Sequence, residues 1–248
     1  MITWQAGKIV EKKEWCEDLY SIKIETETLP FKAGQFANIG IEIDDGIINR
    51  PYSLVNTPDE PLLEVHFNTV KEGRFSPLLT TQDIGSPISV ATRAGGMLTL
   101  DQVPESRTEL WFCATGTGIG PFLSLLHTTA IWQRFDKIIV CYATKTAAEM
   151  AYRDELNALQ LKYPTQFQFI PFITREVSEG AIHSRFTTAL ASGELETFAN
   201  APLNVNSSHL MLCGSSAMID EMTTLLEQKG LSRHSRQQPG HIAIEKYF

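Results

Sequence analysis

Over roughly the first 100 residues, apolar positions come in short alternating runs broken by turn residues. In FANIGIEI, Ile39, Ile41 and Ile43 fall on one face of an extended segment. LEVHFNTV puts Val65 and Phe67 on one face, and PISVATRAGGMLTL reads as a strand, a Gly-Gly break and a second strand. Short strands divided by turn signals predict an antiparallel barrel or sandwich.

After Pro104 the texture changes. ELWFCAT is a continuous apolar run, as expected of a strand buried on both faces. Helical spacing follows over residues 120–135, then the strand KIIVCYAT, a helix over 147–163 and the strand FQFIPFIT. A short helix at 186–190, the strand HLMLCGS and the helix MIDEMTTLLEQKG complete the alternation, with Gly230 as a C-cap candidate. Alternating strands and helices predict a doubly wound parallel sheet. The expected fold class is therefore β + α/β, an antiparallel β-barrel domain over 1–101 followed by a parallel α/β domain over 107–248.

Composition narrows the function. A chain of 248 residues suits two domains of ordinary size. A formal net charge of −8 argues against nucleic-acid binding, which needs a basic face to displace counterions. Cys16, Cys113, Cys141 and Cys213 form no CxxC pair and no Cys/His group at metal-ligand spacing, so free thiols and no metal site are expected. No run reaches the ~18 apolar residues a membrane helix needs. The N-terminal segment lacks a signal peptide's apolar core, so the expected location is the cytoplasm, away from membranes.

Several segments carry chemistry. In Arg50-Pro51-Tyr52-Ser53, arginine offers a fork for phosphates, tyrosine a flat wall and serine a hydroxyl. Alone, the same residues also suit a surface arginine beside a core tyrosine. In Gly73-Arg74-Phe75-Ser76 a tight turn precedes amides able to face an anion, or a plain hairpin with a solvated arginine. The loop ATGTGIGP follows a strand and opens a helix, the context in which glycines let backbone approach a pyrophosphate. Lys145, Arg175 and Arg185 follow later strands, where ligands of open parallel sheets gather. Cys213-Gly214-Ser215 stands at another strand end, and the chain closes on Tyr247 and Phe248, two aromatics with reason to cover a flat partner or a core.

In order and spacing, AGQF, RPYS, GRFS, ATGTGIGP, LCGS and PGHIAIEKYF resemble the ferredoxin–NADP⁺ reductase family of bacterial type, over the whole chain. The resemblance implies an FAD-binding barrel, an NADP(H)-binding α/β domain, and electron transfer between NADPH and ferredoxin or flavodoxin. It implies that Arg50, Pro51, Tyr52 and Ser53 hold the flavin, and that Arg74, Phe75 and Ser76 bind the FAD pyrophosphate region. His66, Phe67 and Asn68 lie along the cofactor, with Thr117 at the domain junction and Gly116 in the loop that takes the NADPH pyrophosphate. Thr144, Lys145, Thr174, Arg175 and Arg185 form the 2′-phosphate and adenosine pocket. Cys213, Gly214, Ser215 and Ser216 flank the nicotinamide, and Tyr247 and Phe248 stack at the ring. Ser53, Cys213 and Glu245 are the residues expected to take part in the chemistry. Lys145 stands where relatives often have arginine, and lysine makes no bidentate fork.

The carrier is expected to be a separate protein docking transiently on a monomer. Because such carriers are acidic, a local basic patch including Arg50, Arg93, Arg233 and Arg236 is expected despite the overall charge. A reductase component of an oxygenase, a free-flavin reductase and a non-catalytic redox sensor fit the same residues.

Overall fold

The computed structural model describes residues 2–247, so Phe248 lies outside the described residues. The chain divides into two compact units, Met1–Thr99 with Gly120–Thr128, and Leu100–Ile119 with Thr129–Phe248.

The first unit is a curled antiparallel sheet of β1 (Trp4–Cys16), β2 (Leu19–Thr26), β3 (Phe36–Ile43), β4 (Gly46–Ser53), β5 (Leu63–Asn68) and β6 (Pro87–Ala91), in the order β4-β3-β6-β1-β2-β5. Its edges meet. Leu54 bridges Val65, and the Val55 N–H donates to Glu64 O at 2.9 Å, so the sheet closes on itself as a barrel. The long β1 shifts register between Ile9 and Glu11 and between Glu14 and Cys16, irregularities that let one strand bend around the closure. Alternation directs Ile22, Ile24, Ala37, Ile39, Val65, Phe67 and Val90 into one core. Ile43 leaves the pattern: it is 37% exposed, because β3 runs past the end of that core.

Two expectations for this region fail. MLTL does not form a second strand. Residues there cross the chain near Gly34, whose added Cβ would stand 1.9 Å from Leu98 O, and the segment passes into a 3₁₀ turn at Leu100–Gln102 with Leu98 buried. The helix expected over 120–135 is two, α2 (Gly120–Leu126) and α3 (Thr129–Arg134). The Thr128 N–H and hydroxyl both bond Leu125 O, at 3.0 and 2.7 Å, tightening and ending α2. Helix α2 is buried throughout, and its Ser124 hydroxyl donates to Asn56 O at 2.6 Å within the first unit. α1 (Ser76–Thr80) is the other helix of that unit.

The second unit holds β7 (Glu109–Thr115), β8 (Lys137–Thr144), β9 (Phe167–Ile173), β10 (Ser208–Ser215) and β11 (Ile242–Tyr247), all parallel, in the order β11-β10-β7-β8-β9. Trp111, Cys113, Ile139 and Cys141 pack with α5 (Phe186–Ser192), α6 (Glu194–Ala199) and α7 (Ser216–Gln228). Their strand neighbours Leu110, Phe112, Ile138 and Val140 point the opposite way and are equally buried, so the sheet is covered on both faces. Helix α4 (Arg153–Lys162) starts later than its periodicity predicts, because Tyr152 takes a left-handed φ of 59° and the residues before it form turns. α6 was not predicted; Gly193, at φ 78°, separates it from α5. Gly230, at φ 87°, follows α7 as expected of a C-terminal glycine. Strand order reverses between β7 and β10, so the ends of these two strands form the sheet's switch point, where open α/β sheets bind ligands.

Candidate cofactor sites

In the first unit, β4 lies at the end of the strand order, the kind of position at which a strand accommodates a proline such as Pro51. Strand pairing sets Ile39 beside Arg50 and Ala37 beside Tyr52. Arg50 and Arg74 line one cavity of about 260 Å³, together with Asp45 and the β3–β4 turn. Arg50 donates to its neighbour's backbone, Asn49 O, at 2.8 Å. Among the described residues no carboxylate forms an ion pair with either guanidinium, although Lys8, Lys23 and Lys71 each take one in the same unit. Two unneutralised arginines on one cavity fit a diphosphate.

Tyr52 supplies the flat wall beside them. Its ring lies 6.0 Å from Phe67, edge-on at 68°, and 5.9 Å from Phe75, tilted at 39°. Phe67 stacks on Tyr20 at 5.7 Å. Burial pushes the Tyr52 phenol above its ordinary range, so it stays neutral. Phe67 and Phe75 are themselves core residues, which makes them supports of this wall. Ser53 is buried at the end of β4, next to Gly120, whose added Cβ would lie 3.7 Å from that of Ser53.

His66 is buried and its Nδ1–H donates to Tyr20 O at 2.9 Å. Burial lowers its pKa to about 4, so the imidazole is neutral at ordinary pH. Asn68, by contrast, is exposed. The Ser76 hydroxyl accepts the Val70 N–H at 2.9 Å and the Gly73 N–H donates to Val70 O at 2.7 Å, which folds the loop that carries Arg74.

In the second unit the switch point is built by glycines. A Cβ on Gly118 would meet Cys213 O at 2.4 Å, and one on Gly214 would meet Thr115 Oγ1 at 2.0 Å. Gly214 also has φ 137°, which side chains rarely adopt. The loop after β7 and the end of β10 therefore touch backbone to backbone, and the Ser215 N–H donates to Thr115 Oγ1 at 3.0 Å. Gly116 turns at φ 54°, exposed and with open space beyond it, and Thr117 is half-buried. The Ser215 hydroxyl caps α7 by accepting the Met218 N–H at 3.4 Å, and Ser216 donates to Tyr247 O at 3.4 Å.

Cys213 is fully buried. Burial, with the charge of Glu245 second, holds its thiol well above its ordinary pKa, while the Tyr247 side chain opposes that shift by hydrogen bonding. A thiol held protonated by burial is a weaker nucleophile than a thiolate. Register places Glu245 opposite Cys213 and Tyr247 opposite Ser215, and the Tyr247 hydroxyl donates to Thr117 O at 3.5 Å.

The loops after β8 and β9 are clipped together. The Arg175 N–H donates to Lys145 O at 2.9 Å and the Thr174 N–H to Thr144 O at 3.2 Å. Thr144 is buried and turns its hydroxyl to Thr146 O at 2.8 Å. Lys145, Arg175 and Arg185 are exposed, and no carboxylate among the described residues pairs with them. Two carboxylates stand nearby and bond backbone amides: Glu149 Oε2 accepts the Lys145 N–H at 3.1 Å, and Glu176 Oε1 accepts the Ala147 N–H at 2.5 Å. Sequence reading missed both glutamates, since nothing in spacing links residue 176 to residue 147.

Arg233 was expected in a basic patch. It bridges Ile242, at the amino end of β11 and so the end of the sheet opposite Ser215. No helix among the described residues is long and apolar enough to cross a membrane, and none of their His, Cys, Asp and Glu residues form a metal-binding group of three or more.

A closed barrel with paired free arginines, and a wound sheet with a glycine-built switch point, define a dinucleotide-dependent oxidoreductase; residues 112–224 match the family described as oxidoreductase NAD-binding domain. The chain is 36% identical, over the full length of both, to a flavodoxin/ferredoxin–NADP reductase of Escherichia coli. It is 31% identical to one of Rhodobacter capsulatus, covering 98% of this chain and 93% of that one. Its fold matches a ferredoxin NADP⁺ reductase from Neisseria gonorrhoeae, solved with bound FAD and NADP, at TM-score 0.94 and 29% identity over 99% of each chain. The chain belongs to the flavodoxin/ferredoxin–NADP reductase family.

Proposed function

We propose that this protein oxidises NADPH through bound FAD and hands the electrons singly to a ferredoxin or flavodoxin. The observation that carries the choice of NADPH is the pair Lys145 and Arg175, adjacent cations on hydrogen-bonded loops that leave nearby carboxylates unpaired. When bound, FAD accepts a hydride from the nicotinamide and releases electrons one at a time.

The chain's residues bind and orient. Arg50 and Arg74 neutralise the FAD diphosphate from their shared cavity, with the loop through Phe75 and Ser76 shaping it. Pro51 and Tyr52 form the flat wall, supported by Phe67, and the Ser53 hydroxyl serves the flavin N5 edge. His66 and Asn68 line the same cofactor. Residues 1–101 thus form the FAD domain and 107–248 the NADP(H) domain. Gly116 and Thr117, with Gly118 free of a side chain, let backbone amides approach the NADPH diphosphate. Thr144, Lys145, Thr174, Arg175 and Arg185 hold the 2′-phosphate and adenosine. Gly214, Ser215 and Ser216 border the nicotinamide, with Cys213 flanking it from beneath and Glu245 exchanging a proton. Tyr247 covers the ring. The enzyme acts as a cytoplasmic monomer whose carrier docks transiently.

The test is an anaerobic titration of the purified holoprotein with NADPH and NADH, followed by turnover with ferredoxin and flavodoxin. NADPH should bleach the flavin and reduce a carrier. Arg175→Ala should raise the NADPH KM about ten-fold or more and leave NADH nearly unchanged. Equal losses for both cofactors would remove the 2′-phosphate assignment, and a carrier that stays oxidised would remove the electron-transfer reading.

A further inference from the structure

Surface cations usually recruit the carboxylates within reach. Elsewhere in this unit they do so: Lys229 pairs with Glu196 at 2.6 Å and Lys246 with Asp220 at 2.5 Å. Around Lys145 and Arg175 the pattern is reversed. Glu149, partly buried, is bonded to the backbone amide of Lys145 itself, and Glu176, exposed, to the amide of Ala147 two residues further on. The carboxylates hold the shape of the loop after β8, and the side-chain cations remain available.

This arrangement has an electrostatic consequence. An amide N–H at a turn next to two cations is the kind of donor a phosphate oxygen takes. At Ala147 that donor is already satisfied by an anion from the chain, at 2.5 Å. Any phosphate arriving at Lys145 and Arg175 therefore meets two fixed negative charges in the same loop pair and finds these two amides engaged. We infer that Glu176, assisted by Glu149, is a specificity-determining residue that weakens recognition of the 2′-phosphate and so limits the preference for NADPH over NADH. The inference rests on the assignment of Lys145 and Arg175 to the 2′-phosphate made above.

Neutralising one carboxylate several ångström from a phosphate, in a solvent-exposed site, corresponds to roughly a three- to ten-fold gain in affinity at low salt. Glutamine keeps an oxygen for the Ala147 N–H, so the loop retains its shape while the charge goes. The experiment uses the holoprotein and calorimetric titration with 2′,5′-ADP and with 5′-AMP, which differ by the phosphate in question. Glu176→Gln should bind 2′,5′-ADP about three- to ten-fold more tightly than wild type and 5′-AMP within about two-fold, with the gain shrinking as salt rises. Glu149→Gln should move in the same direction, and the NADPH to NADH ratio of kcat/KM should follow.

Arg175→Ala is the reference variant. If it weakens 2′,5′-ADP selectively while Glu176→Gln leaves that ligand unchanged or weaker, the role of Glu176 is overturned and the phosphate site stands. If Arg175→Ala weakens neither ligand selectively, the phosphate assignment and the inference built on it fall together. An equal gain for both ligands in Glu176→Gln also overturns it, because the effect would then belong to the loop's shape.

Discussion

The glycines of the switch point permit a sharp contrast within one loop. At Gly118 a Cβ would stand 2.4 Å from Cys213 O and 2.7 Å from its carbonyl carbon. These atoms are the backbone of β10, a strand hydrogen-bonded on both sides by β7 and β11, so they have little freedom to yield. Relief requires the loop Gly116–Ile119 to move outward by about an ångström, and overpacking of this kind costs about 1–3 kcal/mol. Backbone against backbone puts Gly118→Ala toward the upper end. A chain of this length loses roughly 2–4 °C per kcal/mol, so the variant should melt about 5–10 °C lower. At Gly116 an added Cβ meets nothing within 4 Å, and only the left-handed φ of 54° opposes it. Gly116→Ala should therefore cost about 1 kcal/mol and 2–4 °C. The assay is thermal unfolding by circular dichroism, with NADP⁺ affinity by calorimetry and flavin content as an internal reference. Gly118→Ala should lose about ten-fold or more in NADP⁺ affinity while retaining flavin, because the amides that approach the diphosphate are displaced. If Gly118→Ala melts and binds like wild type, or if Gly116→Ala is the more damaging, the cradle reasoning is wrong.

Three further outcomes can be measured. Arg50→Ala and Arg74→Ala should each weaken FAD by about 2 kcal/mol, near 30-fold, read as flavin released on dilution; retention of full colour by both would unseat the shared-cavity assignment. His209 is fully buried, and burial, with His234 and Arg107 adding to it, lowers its pKa to about 3, below the unfolded value. A depressed histidine favours the folded state above the unfolded pKa and loses that stability as pH falls toward the folded one. About 2 kcal/mol should be lost between pH 8 and pH 5, and His209→Leu should flatten that slope in denaturant titrations; an unchanged slope would show that the group does not titrate on unfolding. Ser124→Ala should cost about 1 kcal/mol in urea midpoint through its lost 2.6 Å bond to Asn56 O, and a neutral result would refute that anchoring of α2.

The sequence itself carried the alternation that makes the barrel strands, the apolar runs of β7, β8 and β10, and the order of phosphate-type motifs along the chain. These are local properties. Period and residue type decide whether a segment is a strand buried on one face or two, and a glycine-rich loop between strand and helix is recognisable where it stands. One failure came from a distant contact and one from a local bond. MLTL had the composition of a strand, yet the crossing at Gly34 leaves no sheet edge for it. The run over 120–135 kept one helical period while Thr128 ended the first helix by taking Leu125 O. What only tertiary structure decided was adjacency over long separations. It brought Arg50 to the cavity of Arg74, backbone of Gly118 onto Cys213, and Glu176 onto the amide of Ala147. It also enclosed Cys213 beside Tyr247, where burial raises the thiol's pKa. Such contacts arise from strand order and loop closure, and neither leaves a periodic trace in the chain.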